Sequence, residues 1–224
     1  MWEEKRFFSR RQALELSLAW GGVFLSGHLQ PVFAQLSRLV PTSEQGMGPF
    51  YPVKKPVDQD DDLTLIRGKV GKAQGQVIHL TGRVLNLKGQ PLSGARVEIW
   101  QANTFGRYNH PGDANPAPLD PNFEGYGVTN TDADGWYRFK TIKPAPYPAA
   151  TGWTRPPHIH FQVTANAHRL VTQMYFPGEP LNEKDRLFQT AAHKESLIVK
   201  LKPAPQDREP GGLLAHWDIV LPRT

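Results

Sequence analysis

The chain has 224 residues, with 26 Lys and Arg against 21 Asp and Glu for a net charge of +5, and no cysteine. One domain plus a short appendage suits that length, and 39% hydrophobic with 21% charged residues excludes a polytopic membrane protein and a fully disordered chain. The lack of Cys excludes disulfides, thiolate zinc sites, Cys-ligated iron–sulfur clusters and a cysteine nucleophile, and the scattered Lys and Arg argue against nucleic acid as a partner.

Residues 1–34 read as an export signal. Ser9-Arg10-Arg11 precedes a mildly apolar stretch from Ala13 to Ser26, which Glu15 interrupts. That stretch is too short and too polar for a stable spanning helix, so no lasting membrane association is expected once the signal is removed. Val32-Phe33-Ala34 supplies small residues at the −3 and −1 positions of a cleavage site before Gln35. The paired arginines resemble a twin-arginine signal, used by proteins that fold around a cofactor before crossing, although Ala13 stands where that signal prefers Phe. Cleavage removes four bases and three acids and leaves +4 on residues 35–224. The mature domain is then expected in the periplasm or outside the cell, and in the cytoplasm if the leader is instead an amphipathic helix.

From residue 42 on, short β-branched and aromatic runs alternate with turn signals. They are Val77–Val84, Ala95–Trp100, Gly135–Phe139, His158–Val163, Leu170–Phe176, Ser196–Leu201 and His216–Leu221. Lys88-Gly89, Ser93-Gly94 and Asp134-Gly135 punctuate them, and 20 Gly with 21 Pro make turns frequent throughout. Helical periodicity is nearly absent. The expectation is an all-β fold: a single antiparallel β-sandwich over 35–224, with long loops at 103–126 and 143–157. Loops of that length in a compact domain are usually functional. Asp58-Gln-Asp-Asp-Asp62 reads as a solvated acidic loop without the ligand spacing of a calcium cage.

Chemistry concentrates at His158 and His160. On a strand, residues i and i+2 share a face, so both imidazoles point one way while Ile159, Phe161 and Val163 face the core. Such a pair suits a metal, or is simply two polar-face histidines. Between Gly135 and Glu179 there is no carboxylate, which weakens a two-His-one-carboxylate ferrous site. What the long loops offer instead is Tyr108 and Tyr147. A phenolate is a hard anionic donor suited to ferric iron.

Trp100-Gln-Ala-Asn with Gly106-Arg-Tyr108, Phe123-Glu-Gly-Tyr-Gly127, Pro146-Tyr-Pro148, Arg155-Pro-Pro-His-Ile-His-Phe161 and Thr172-Gln-Met-Tyr-Phe176 resemble the intradiol ring-cleaving dioxygenases, nearest the protocatechuate 3,4-cleaving branch. The resemblance runs from Gly48-Pro-Phe-Tyr51 to about Asp185. It implies a prealbumin-like sandwich and one Fe(3+) held by Tyr108, Tyr147, His158 and His160, with Tyr147 and His158 axial. It further implies cleavage of a catechol-type ring between its two hydroxylated carbons, with both atoms of O2 incorporated and a protocatechuate-like substrate favoured. Arg155 is implied to stabilise the anionic ring, Gln173 to stand near the oxygen-binding side, and Tyr51 and Trp100 to line the substrate pocket. Pairing with a related chain, or with a second copy, is also implied. Ala149 departs from the Trp that relatives carry after Tyr-Pro, which alters one pocket wall. Two alternatives stay open on the sequence: a metal-free prealbumin-like binding module, and a zinc or ferrous His-x-His enzyme.

Overall fold

The computed structural model describes residues 39–222 apart from Arg208; the expected leader, residues 1–34, lies outside the described residues. Strands β1 (Val77–Asn86), β2 (Arg96–Trp100), β3 (Tyr126–Asn130), β4 (Trp136–Ile142), β5 (Tyr147–Ala150) and β6 (Trp153–Arg155) come first. Then follow β7 (His158–Ala165), β8 (His168–Tyr175), the short helix α1 (Arg186–Gln189), β9 (Lys200–Pro203), β10 (Leu213–His216) and β11 (Ile219–Leu221). One sheet has β1 at its centre, with β4 on one edge and β10 and β11 on the other, and β9 outside β10. The second sheet runs β3-β2-β7-β8 and is antiparallel throughout.

The sheets meet across one apolar core. Ile78, Leu80, Val84 and Phe139 come from the first sheet; Val97, Ile99, Ile159, Phe161, Val163 and Met174 come from the second. Phe161 lies edge-on to Trp217 with ring centroids 4.9 Å apart and to Tyr137 at 6.1 Å, tying the layers together. Truncating a fully buried Phe of this kind to Ala costs about 3–5 kcal/mol. The all-β expectation therefore holds, with the alternation of His158–Val163 sending Ile159, Phe161 and Val163 inward as the period-two rule requires.

Four details differ from expectation. The first sheet is mixed: β4 pairs antiparallel with one edge of β1, while β10 and β11 run parallel to β1 along the other, and β9 pairs antiparallel with β10. The expected strand His216–Leu221 is broken at Trp217-Asp218, where the Asp218 carboxylate accepts the Arg83 N–H at 2.8 Å in place of a ladder bond. Ser196–Leu201 begins as a 3-10 turn over Lys194–Leu197 rather than a strand. There Leu197 and Val199 reach the core, a single parallel bridge joins Ile198 to Tyr175 with the Val199 N–H donating to the Tyr175 carbonyl at 3.0 Å, and the Trp217 indole donates to the Ser196 carbonyl. The segment 143–157 is no open loop, since β5 and β6 pair as a hairpin within it. Both faces of β2 are buried as well: Glu98 and Trp100 oppose the core yet are 3% and 1% exposed. The second sheet thus has a covered outer face.

Candidate metal centre and substrate cavity

That outer face carries the site. Pairing of β2, β7 and β8 aligns Trp100, His160 and Gln173 in one row, and His158 with Tyr175 in the next. Residues 45–51, the 103–125 loop and the β5–β6 hairpin cover these rows. Tyr108 arrives from the loop, whose turns are held by Asn103 accepting the N–H groups of Phe105 and Arg107, and by Asp113 accepting that of Tyr108 at 2.7 Å. Tyr147 arrives at the start of β5. Gly106 lets the two segments touch: its φ is +79°, and a Cβ there would lie 2.4 Å from the Pro146 carbonyl oxygen.

The four expected ligands converge. His158 Nε2 and His160 Nε2 are 3.2 Å apart, and the Tyr108 hydroxyl is 3.5 Å from His158 Nε2. Tyr147 packs edge-on to Tyr108 with centroids 5.3 Å apart and lies 5.6 Å from the His158 ring. All four are at most 4% exposed. His158 Nδ1 lies 2.7 Å from the Pro156 carbonyl, so that nitrogen is the N–H and Nε2 keeps its lone pair toward the cluster. His160 stacks on Trp100 at 4.9 Å with planes 10° apart, and its Nδ1 has no partner among the described residues. Gly48 packs on the same ring, where a Cβ would stand 3.1 Å from Cε1.

Burial, then the neighbouring Arg155 charge, depresses both histidines, His160 to about 3. Both are neutral donors at pH 7. Burial pushes the Tyr108 and Tyr147 phenols up. Two neutral imidazole nitrogens facing each other and two desolvated phenols form a donor set that a trivalent cation would satisfy, pulling the phenols down instead. Among the described residues no three His, Asp or Glu converge, so the donors joining the histidine pair are phenols and not carboxylates.

Arg155 is buried beside this cluster. Its Nε donates to Asp185 Oδ2 at 2.5 Å, and one terminal nitrogen donates to Gln173 Oε1 at 2.7 Å and the Tyr175 hydroxyl at 2.8 Å. Gln173 Nε2 donates to the Gly46 carbonyl, so both ends of that amide are committed. The other Asp185 oxygen caps α1 by accepting the N–H groups of Leu187 and Phe188. Asp185, Tyr175 and Phe50 escaped the sequence reading. Asp185 at a helix cap was the detectable signal, but nothing local pairs it with Arg155, 30 positions away. Phe50 packs on Tyr108 at 4.6 Å and on Tyr147 at 6.0 Å.

A cavity of about 470 Å³ adjoins the centre, walled by Phe50, Trp100, Tyr108, Phe123, Glu124 and Tyr126 among others. Trp100 therefore lines it. Tyr51 does not; it stands edge-on behind Trp100 at 4.9 Å and donates its hydroxyl to Glu98 at 2.8 Å. Of the acidic stretch, Asp60 and Asp62 accept backbone N–H groups two residues on, and Asp58 pairs with Arg67.

Comparisons with known proteins agree with one another. A family model described as Dioxygenase matches residues 47–223. The protocatechuate 3,4-dioxygenase beta chain of Burkholderia cepacia is 44% identical over 194 residues, covering 82% of this chain and 81% of that one. The hydroxyquinol 1,2-dioxygenase of Corynebacterium glutamicum is 33% identical over 198 residues, covering 78% of this chain but only 61% of its own length. Among solved structures, the dioxygenase domain of a dioxygenase–carbohydrate-binding fusion from Streptomyces sp. SirexAA-E superposes with a TM-score of 0.62 at 31% identity. It covers 83% of this chain and the whole of that domain.

Proposed function

The chain belongs to the intradiol ring-cleaving dioxygenases, and from that premise we propose that it holds one Fe(3+) through Tyr108, Tyr147, His158 and His160 and cleaves catechol-type rings with O2. The observation that carries this reading is the convergence of two phenols and two neutral imidazoles, all buried, on one point. Ferric iron held by these four residues would supply Lewis acidity toward a vicinal diol and an electron sink for the reaction with O2.

The chain's own groups do the rest. The Pro156 carbonyl holds the His158 tautomer with its Nε2 lone pair toward the cluster, and the stacked Trp100 and close-packed Gly48 hold the plane of the His160 ring, so both Nε2 atoms are positioned before any ligand arrives. Held as a phenolate, Tyr147 would be a base within the site able to take one diol proton. Arg155 cannot lose its proton, and Asp185, Gln173 and Tyr175 fix its plane, so it presents a preorganised positive charge to an anionic ring. Burial of the whole set keeps bulk water from the reactive ring.

The relative named for protocatechuate makes that ring the first to assay, with unsubstituted catechol beside it. A related chain or a second copy completing the assembly, and export directed by residues 1–34, belong to the same proposal. Purified protein is expected to contain about one iron per chain and to show a burgundy phenolate-to-ferric band. Tyr108→Phe and His160→Ala are each expected to bleach it and abolish ring cleavage. Retention of iron, colour and turnover by both variants refutes the ligand set.

A further inference from the structure

The cavity beside Tyr108 and Trp100 has mixed apolar and polar walls, and two of its buried polar groups, the Trp100 indole N–H and the Glu124 carboxyl, have no partner among the described residues. Glu124 lines it, is 6% exposed, and neither of its carboxyl oxygens has a hydrogen-bond partner among the described residues. Its backbone is fixed, the N–H donating to the Leu63 carbonyl at 3.1 Å. A buried carboxyl without a protein partner costs stability unless another group satisfies it.

The other charged groups on the cavity wall are spent or at its rim. Lys55 donates to Glu98 at 3.0 Å, Arg67 pairs with Asp58 at 3.3 Å, and Lys54 is exposed. Nor does the cavity present a cation cage: Asp60 and Asp62 hold backbone turns, and no three acidic or histidine side chains converge among the described residues. Glu124 is left as the buried acid with free hydrogen-bonding capacity, and the Trp100 indole N–H beside it can only donate. Burial, then Asp58 and Asp60, pushes its carboxyl up to about 8 against the opposing pull of Arg67. Near neutral pH it is mostly a neutral acid, able both to donate and to accept.

We propose that Glu124 is a specificity-determining residue, selecting catechols whose ring carries a neutral, hydroxyl-bearing substituent that enters this cavity. The inference rests on the ring-cleaving reading of the Tyr108, Tyr147, His158 and His160 cluster. A hydroxyl can donate to Glu124 or accept from it and so satisfies it in either protonation state. An alkyl substituent of the same size leaves the carboxyl as unpaired as before. An anionic substituent, such as a carboxylate, enters beside Asp58 at a wall whose Lys55 and Arg67 are already paired, and Glu124 can bond it only while protonated. A site built around one buried polar group discriminates most strongly against ligands that leave it unpaired.

A matched series tests this on the iron-loaded full chain: 4-(2-hydroxyethyl)catechol, 4-propylcatechol and 3,4-dihydroxyphenylacetate, with catechol as the internal reference. Dissociation constants are measured by calorimetry without O2, and kcat/KM with O2. The wild type is expected to favour the hydroxyethyl ring over the propyl ring by roughly 10-fold, the scale of one buried hydrogen bond, and the acetate ring least. Glu124→Leu is expected to bring the hydroxyethyl-to-propyl ratio near unity in both measurements. Glu124→Gln, which keeps shape and hydrogen bonding, is expected to retain the hydroxyl preference and to raise the relative affinity for the acetate ring. A wild type that prefers the acetate ring overturns the proposal, as does a Glu124→Leu ratio equal to the wild-type one. If Glu124→Leu does not fold, an unchanged acetate-to-hydroxyethyl ratio in Glu124→Gln overturns it equally. Failure of the wild type to chelate or cleave catechol itself sinks the ring-cleaving reading, whereas catechol cleavage with a flat substituent profile sinks only the role of Glu124.

Discussion

Asp185→Asn isolates the charge that positions Arg155. The side chains of Arg155 and Asp185 are 4% and 0% exposed, so the pair is cut off from water and salt. Removing one member of such a pair strands the other, which costs about 3–5 kcal/mol. Asn keeps a carbonyl oxygen for the Leu187 and Phe188 N–H groups, so the cap on α1 survives and the lower end, about 3 kcal/mol, is expected. In a domain of this size that lowers Tm by about 6–12 °C in a thermal scan. Turnover carries a second signature. With the guanidinium no longer clamped through Nε, kcat is expected to fall about 10-fold or more while the ferric band and catechol binding persist. Arg155→Ala should lose about 10²-fold and also stay coloured. Pairing Asp185→Asn with Arg155→Met is expected to recover part of the stability and none of the rate, since the stranded charge is removed while the cap on α1 is kept. A loss below 1 kcal/mol in Asp185→Asn, with kcat unchanged, refutes the reasoning.

Two further outcomes are expected. Burial alone would raise the Glu98 carboxyl, but hydrogen bonds from Arg96, Tyr126, Lys55 and Tyr51 overcome it and hold the group near 2 against an ordinary value of 4.5. A depressed carboxyl contributes stability that is present above about 4.5 and lost as pH falls toward 2, about 3 kcal/mol in all, so urea midpoints of the wild type should drop through that window while those of Glu98→Gln change far less; parallel curves for the two proteins would refute it. Replacing Arg10 and Arg11 together by Lys should leave uncleaved chain inside the cell in a fractionation assay, and unaffected export would rule out the twin-arginine route.

The relation between chain and structure is uneven, for physical reasons. Strands β1, β2, β4, β7 and β8 were legible because half-buried strands impose a period of two on side-chain polarity, and the pair at 158 and 160 sits on one face for the same reason. The hairpin in 143–157 was not legible, because Pro148 and Thr151-Gly152 read as turn punctuation while the pairing that makes β5 and β6 strands is a property of two segments together. The break at Trp217-Asp218 was hidden likewise: only beside Arg83 does Asp218 replace a ladder bond.

The sequence by itself determined the all-β class, the identity of the four candidate ligands and the resemblance that joins them, since these depend on residue type and local spacing. Tertiary structure alone decided how they act. Register across β2, β7 and β8 stacked Trp100 on His160 and set Gln173 beside it; a contact between Gly106 and Pro146 brought Tyr108 to Tyr147. It also gave Arg155 its carboxylate from 30 positions away, turned Tyr51 from the cavity to Glu98, and left the Glu124 carboxyl within the cavity wall with no partner among the described residues. Burial, pairing and electrostatic environment arise from groups distant in the chain, and no local pattern encodes which distant group will arrive.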